Sequence, residues 1–274
     1  MWWLWVLAGV GTVVLLLPAA YVARRLTRRG HYRSLAKDRA ETVKGHEPTL
    51  AKSAGLDELQ AEFEANLIAR VENFLDKASL ERLREESRQN VAHMVRSYIP
   101  GHKKGATLSY EQTHHTAPYC LAFYHSREVQ QFVSKLVREK LGPTADHDQS
   151  SLSILCYDQE GDHINWHFDH NFYKGRHFTI LLSLINRAEA GGNSACKLLY
   201  KNAAGDEVAV DTSENVLVVF EGARVLHKAS KTAAGDLRMM LSMTFATTPD
   251  IGWFKDTIRR FKDTAYYGLR VIWD

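Results

Sequence analysis

His167 and Asp169 stand two positions apart in "INWHFDHNFYKGRHFT", residues 164–179. On a β-strand this spacing turns both side chains to one face, where an imidazole nitrogen and a carboxylate oxygen can reach one metal ion. A third donor must come from elsewhere, and His227 suits it. It closes the apolar run in "NVLVVFEGARVLH", sixty residues beyond His167, which leaves room for strands to return to the site. Two imidazoles and one carboxylate cover one face of an octahedron and leave three positions open, a set that suits Fe(II) binding further ligands. Zinc would favour a closed tetrahedron richer in thiolate or imidazole. The three cysteines, Cys120, Cys156 and Cys196, have no C-x-x-C spacing, so neither a zinc-thiolate site nor a disulfide framework is indicated. Arg238 lies eleven residues past His227 and begins the apolar run "RMMLSMTF". A guanidinium grips a carboxylate through two parallel hydrogen bonds. A dicarboxylate chelated by the metal at one end would meet that grip at the other.

The nearby polar residues have weaker claims. His163 and His177 read as surface or supporting residues, and His170, next to Asp169, should face away from the metal. Asn165 shares the face of His167, where it could touch substrate or support a ligand. Thr179 and Ser183 either line a pocket or pack in the core. Arg176 is a loop charge or a substrate ligand, and residues 148–151, "DQSS", form a pocket mouth or a turn.

The elements that must position these groups change character near Pro143. Before it, helical periodicity dominates. Leu59, Phe63, Leu67, Val71, Phe74 and Leu75 recur at spacings of three to four from Leu56 onward, and a second stretch covers about 79–96. Ser126 caps a third helix whose stripe is Val129, Phe132, Val133, Leu136 and Val137. After Pro143 come six short β-leaning runs, "SLSILCY", "HFTILLSLI", "KLLY", "EVAV", "NVLVVF" and "RMMLSMTF", separated by turn formers. They predict a β-sandwich or barrel, with the jelly roll the leading candidate. The tail from Pro249 places Ile251, Phe254, Ile258 and Phe261 at helical spacing. Its plainer reading is a helix packed on the sheet; contact with a bilayer is the other.

His167-x-Asp169, His227 and Arg238 together resemble the Fe(II)- and 2-oxoglutarate-dependent dioxygenases, in particular the prolyl-4-hydroxylase-like branch. The resemblance covers about 150–247 and, more loosely, the helices from about 60. "YDQEGDHINWHFD" from Tyr157 is similar to the branch's tyrosine, glycine and H-x-D run, with one residue more between Tyr157 and Gly161. The resemblance implies an α+β chain with a double-stranded β-helix (jelly-roll) core flanked by N-terminal helices. It implies Fe(II) on His167, Asp169 and His227, and 2-oxoglutarate on Arg238, with Tyr157 and Thr179 as further cosubstrate contacts. Dioxygen is the other cosubstrate, and oxidative decarboxylation to succinate accompanies hydroxylation of a C–H bond. Asp169 occupies the place that halogenases of the superfamily leave to a small residue, which points to hydroxylation. "FTILLSLIN" lacks the inner-strand lysine of the histone-demethylase-like branch, so Arg238 is the expected anchor.

The 274 residues suit one domain with extensions, and 45% hydrophobic with 24% charged residues suits a folded chain. A net charge of +3 is too small to imply nucleic acid. Residues 1–23 contain no charge, carry Trp2, Trp3 and Trp5 near one end and Tyr21 near the other, and are followed by "RRLTRRGHYR". About 20 apolar residues span a bilayer core as a helix, and interfacial aromatics with flanking arginines fit that reading. A signal peptide would carry a basic region before its apolar core. The expected organisation is therefore a transmembrane helix at 1–23 and a basic juxtamembrane linker at 24–55. An oxygenase domain follows at 56–274, with helical support at 56–142, a core at about 148–248 and a C-terminal helix at 249–274. The positive-inside rule makes this a single-pass membrane protein with its catalytic domain facing the cytoplasm. The substrate, whether small molecule, lipid or protein, is left open. The competing readings are a catalytically silent binding or sensing protein on the same scaffold, and a zinc hydrolase on a cupin-like sandwich.

Overall fold

The computed structural model describes residues 19–51, 55–269 and 271–272 with their side chains, and the backbone alone of 2–18, 270 and 273. In chain order the elements begin with α1 (Trp2–Thr42), α2 (Leu56–Asn66), β1 (Ile68–Val71), α3 (Lys77–Gln89), β2 (Val95–Ile99) and β3 (Lys103–Leu108). Three helices follow, α4 (Tyr110–Thr116), α5 (Pro118–His125) and α6 (Arg127–Leu136). The strands β4 (Gly142–Pro143), β5 (Leu152–Tyr157), β6 (His163–His167), β7 (His177–Arg187), β8 (Leu198–Lys201), β9 (Glu207–Val210), β10 (Leu217–Phe220), β11 (His227–Ala229) and β12 (Leu237–Ala246) complete the sheet. Helix α7 (Trp253–Tyr267) and a final 3-10 turn at Leu269–Trp273 end the chain.

All six strands expected after Pro143 form, and the sheet is antiparallel in the order β1-β10-β7-β12-β5-β3-β6-β11-β8-β9. Strand alternation divides its residues between two apolar layers. On β12, Met239, Leu241, Met243 and Phe245 pack toward the helices, while Arg238, Met240, Ser242 and Thr244 line an interior cavity. The same parity on β5 sends Leu152, Ile154 and Cys156 outward to the helices and Ser153, Leu155 and Tyr157 inward. Residues from β5, β6, β7, β8, β11 and β12 meet around one cavity, so the sheet curls into a jelly-roll-like barrel. The α+β class with a jelly-roll core is thus observed.

The helical half differs from its periodicity. Helix α2 stops at Asn66 because Leu67 takes a left-handed conformation, φ 56°, and the chain turns into β1, which pairs with β10. Val71, Phe74 and Leu75 keep a spacing of three to four but lie beyond the helix. The second expected helix ends at Gln89, and Val95 already belongs to β2. Ser126 caps α6 by accepting from the Val129 amide at 3.4 Å.

Residues 24–42, expected as linker, are helix bound to the domain. Arg25 pairs with Asp256 at 2.8 Å, Arg28 and His31 with Glu111 at 2.8 Å, and Arg39 with Asp146 at 2.7 Å. Tyr32 and Leu35 are buried. Most of the expected transmembrane segment, residues 1–18, lies outside the residues described with side chains. Among the described residues, no helix is long and apolar enough to cross a membrane. The stripe of α7 does not pack on the sheet: Phe254, Ile258 and Phe261 are exposed, and the buried residues of that helix are Asp256, Arg259, Arg260, Asp263 and Tyr267.

Candidate metal centre

Strands β6 and β11 run antiparallel with His167 directly opposite His227, which sets the two imidazole centroids 4.2 Å apart. Asp169 lies just past the end of β6, where its amide donates to the Gly222 carbonyl at 2.9 Å. Its Oδ1 is 3.6 Å from His167 Nε2 and 3.8 Å from His227 Nε2. One donor atom from each of the three residues lies within 4.8 Å of the others, close enough for one ion to touch all three.

The second contacts of each group aim these donors. His167 Nδ1 lies 2.7 Å from the Asn165 carbonyl and His227 Nδ1 2.9 Å from the Val225 carbonyl. A carbonyl only accepts, so each Nδ1 carries the proton and each Nε2 offers its lone pair to the centre. Thr179 Oγ1 donates to Asp169 Oδ2 at 2.6 Å and leaves Oδ1 for the ion. Burial alone would raise the Asp169 pKa, but the neighbouring His227 and His167 outweigh it and hold the carboxyl well below its usual range. Burial lowers His227, whereas the adjacent Asp169 carboxylate overcomes burial at His167 and raises it. The ionised Asp169 and the neutral His227 suit a divalent cation, which needs a carboxylate and two neutral imidazoles, and at His167 the ion would compete with a proton.

Gly222 was not singled out in the sequence. A Cβ there would press on Asp169 Oδ2 and come within 2.7 Å of Thr179 Oγ1 and 2.8 Å of Asp169 Cβ. Only glycine lets the loop after β10 pass beside the aspartate, and nothing in the pattern "FEGAR" reveals that distant contact.

Arg238 lies at the start of β12, opposite Tyr157 on β5, and is 2% exposed. Its guanidinium sits 5.5 Å from the Tyr157 ring centroid, and Nη1 makes one weak contact to Cys196 Sγ at 3.8 Å. Nε is buried with no hydrogen-bond partner, and among the described residues no carboxylate pairs with this side chain. A buried cation without a counter-charge is costly. Its cavity, of about 210 Å³, is shared with His167, Asp169, His227, Tyr157 and Thr179. An unpaired guanidinium and the three converging donors therefore line one cavity.

Lys103 and His102 also escaped the sequence reading. Lys103 is buried, donates to Thr107 Oγ1 at 2.8 Å, and lies 4.6 Å from the Tyr266 ring centroid. Burial and nearby Lys262 lower its pKa to about 7. His102 stands edge-on to His167 at 5.5 Å and bonds the Tyr266 hydroxyl at 2.6 Å. A histidine in the turn before β3 and a lysine at the start of that strand carry no periodic signal.

The other sequence candidates separate. His170 and His177 line the cavity, contrary to expectation, and His177 is buried with an unpartnered Nδ1. His163 stays half-buried, hydrogen-bonding the Gly161 carbonyl. Asn165 is exposed and bonds the Gly101 carbonyl. Ser183 does not line the cavity but donates to the Thr212 carbonyl. Arg176 is held by Glu221 and Glu139, each at 2.7 Å. Asp148 and Ser150 line the cavity. A second group, His31, Glu111 and His115, is accounted for by Arg28, which takes both Glu111 oxygens.

No protein-family model matches the sequence, and no curated protein is significantly similar to it. Solved structures are similar in fold. The epimerase SnoN, in a complex with Fe3+, alpha ketoglutarate and nogalamycin RO, superposes with a TM-score of 0.58 at 14% identity, over 70% of this chain and 83% of that one. A prolyl-4-hydroxylase from Pseudomonas putida gives 0.53 at 16% identity, over 70% and 98%. An oxidoreductase of the 2OG-Fe(II) oxygenase family from Burkholderia pseudomallei gives 0.57 at 11% identity, over 76% and 99%. The chain therefore has the fold of the Fe(II)/2-oxoglutarate oxygenases, the superfamily that its H-x-D, His227 and Arg238 pattern resembles.

Proposed function

We propose that this protein is a membrane-anchored Fe(II)- and 2-oxoglutarate-dependent dioxygenase that hydroxylates a C–H bond of its substrate. The observation that carries the reading is one cavity holding three converging donors and a buried arginine without a counter-ion. His167 Nε2, His227 Nε2 and Asp169 Oδ1 would hold the iron. Arg238 would take the distal carboxylate of 2-oxoglutarate, with the Tyr157 ring as the wall of that subsite. When bound, the iron supplies the oxidising chemistry, in which 2-oxoglutarate and dioxygen yield succinate, carbon dioxide and one oxygen atom for the substrate. The protein fixes the donors, satisfies the cosubstrate charge and keeps the reacting atoms in an enclosed space.

The charge-free segment 1–23 and the basic residues after it support a single membrane-crossing helix with the oxygenase domain on the cytoplasmic side. The substrate is a small molecule, a lipid or a protein segment that enters the cavity.

Succinate release from 2-oxoglutarate, measured with Fe(II) and the full-length chain, tests the activity. Turnover is expected for the wild type and background for His167→Ala and Asp169→Ala, which also lose bound iron. Equal turnover in all three would overturn the reading.

A further inference from the structure

Helix α7 is built inside out. A helix on the surface of a domain ordinarily turns its charges to water and its apolar stripe to the core. Here Arg259 is buried and paired with Asp256 at 2.9 Å and Asp263 at 2.7 Å, while Arg260 also reaches Asp256, at 3.5 Å. The opposite stripe, Phe254, Ile258 and Phe261, faces out at positions i, i+4 and i+7, with Phe261 63% exposed. Trp253, 81% exposed, lies at its start and exposed Leu269 just past its end. A contiguous outward apolar stripe of this kind marks an interaction surface.

Its neighbour indicates what covers it. Arg25 of α1 pairs with Asp256, and Tyr21 of α1 accepts from Arg260 Nη1 at 2.8 Å. Four residues forward on α7 are four residues back on α1, so the helices run antiparallel here. The C-terminal end of α7 therefore points along α1 toward the charge-free segment. One outward stripe of α1 changes along its length from exposed Val22 and Leu26 to exposed Arg29 and Arg33. Apolar residues followed by cations, beside outward Trp and Phe, match a lipid interface with anionic head groups.

We infer that the outward face of α7 lies in the headgroup–acyl boundary of an anionic bilayer, in the leaflet where α1 enters. The inference rests on the membrane anchor proposed above. The same helix contributes Lys262, Tyr266 and Tyr267 to the cavity, so docking brings one wall of the site to the lipid surface.

The test uses the full-length chain in vesicles of phosphatidylcholine with phosphatidylserine. Phe261→Cys carries an environment-sensitive fluorophore, and Asp206→Cys, on an exposed turn, is the control; Cys120, Cys156 and Cys196 are buried. Retention of the chain by vesicles after a high-salt wash reports the anchor separately. The expected result is a blue-shifted Phe261→Cys emission that lipids brominated on their acyl chains quench, with Asp206→Cys unaffected. Charge swaps Arg29→Glu and Arg33→Glu are expected to weaken that quenching. A retained chain whose Phe261→Cys label emits as in water would overturn the inference while leaving the anchor intact. A blue shift without bromine quenching would overturn it as well, in favour of a second copy or another protein on this face. If the chain is not retained, the anchor fails; quenching by added anionic vesicles would still support the docking face, and its absence would overturn both.

Discussion

Arg238 and Arg259 are both buried arginines, and they are opposites. Arg259 is saturated: Asp256 and Asp263 neutralise it, and the His147 carbonyl accepts from it at 3.2 Å. Burial opposes its charge, but Asp148, Asp263 and Asp256 raise its pKa all the same. Arg238 has an aromatic ring, a thiol and an unpartnered Nε. Burial alone therefore does not identify a functional charge. A satisfied cation is structural, here bridging carboxylates of α7 and the His147 carbonyl, whereas an unsatisfied one beside a cavity is a candidate to bind a ligand.

This contrast can be broken experimentally. Arg259→Met leaves Asp263 with Lys262 alone and Asp256 with Arg25 and Arg260, and should cost about 3 kcal/mol of stability, the lower end for a broken buried pair. A urea denaturation midpoint would register this, and the folded fraction should keep its affinity for 2-oxoglutarate. Gly222→Ala sharpens the comparison from the metal side. It displaces Asp169 without touching either arginine, so bound Fe(II) in anaerobic titration should weaken roughly 10–100-fold, alongside an overpacking cost of about 1–3 kcal/mol. The smallest effect concerns Lys103, a third buried cation. Its folded pKa of about 7 lies below the ordinary 10.5, so between these values the unfolded chain binds a proton that the folded chain lacks. Wild-type stability should therefore rise with pH across that window relative to Lys103→Met. Parallel melting-temperature series for the two proteins would expose the slope, and parallel curves would contradict it.

The metal donors were legible because their chemistry is local in type and their strand parity is simple. His167, Asp169 and His227 converge as expected, although Asp169 sits beyond the strand and owes its aim to Thr179 and Gly222. Arg238 was legible from its place at the head of an apolar strand. Its lack of a partner was not, since that depends on everything packed around it. The barrel strands followed from their apolar runs, whereas Leu67 hid a helix end inside a helical period by adopting φ 56°. Helix α7 packs against β2 and β3, as expected, but by its charged face, because periodicity finds an apolar stripe and not the side on which it lies. Buried ion pairs of Arg259 reversed the usual answer, and other ion pairs, to Asp256, Glu111 and Asp146, fixed residues 24–42 as part of the domain.

The central claim is that Arg238 awaits a carboxylate held at its other end by the three donors. Anaerobic equilibrium binding of 2-oxoglutarate to the Fe(II)-loaded full-length chain tests it directly. The account predicts metal-dependent binding that Arg238→Met weakens on the order of a hundredfold, with bound iron unchanged. Binding that is unaffected by Arg238→Met, or that needs no iron, would contradict it.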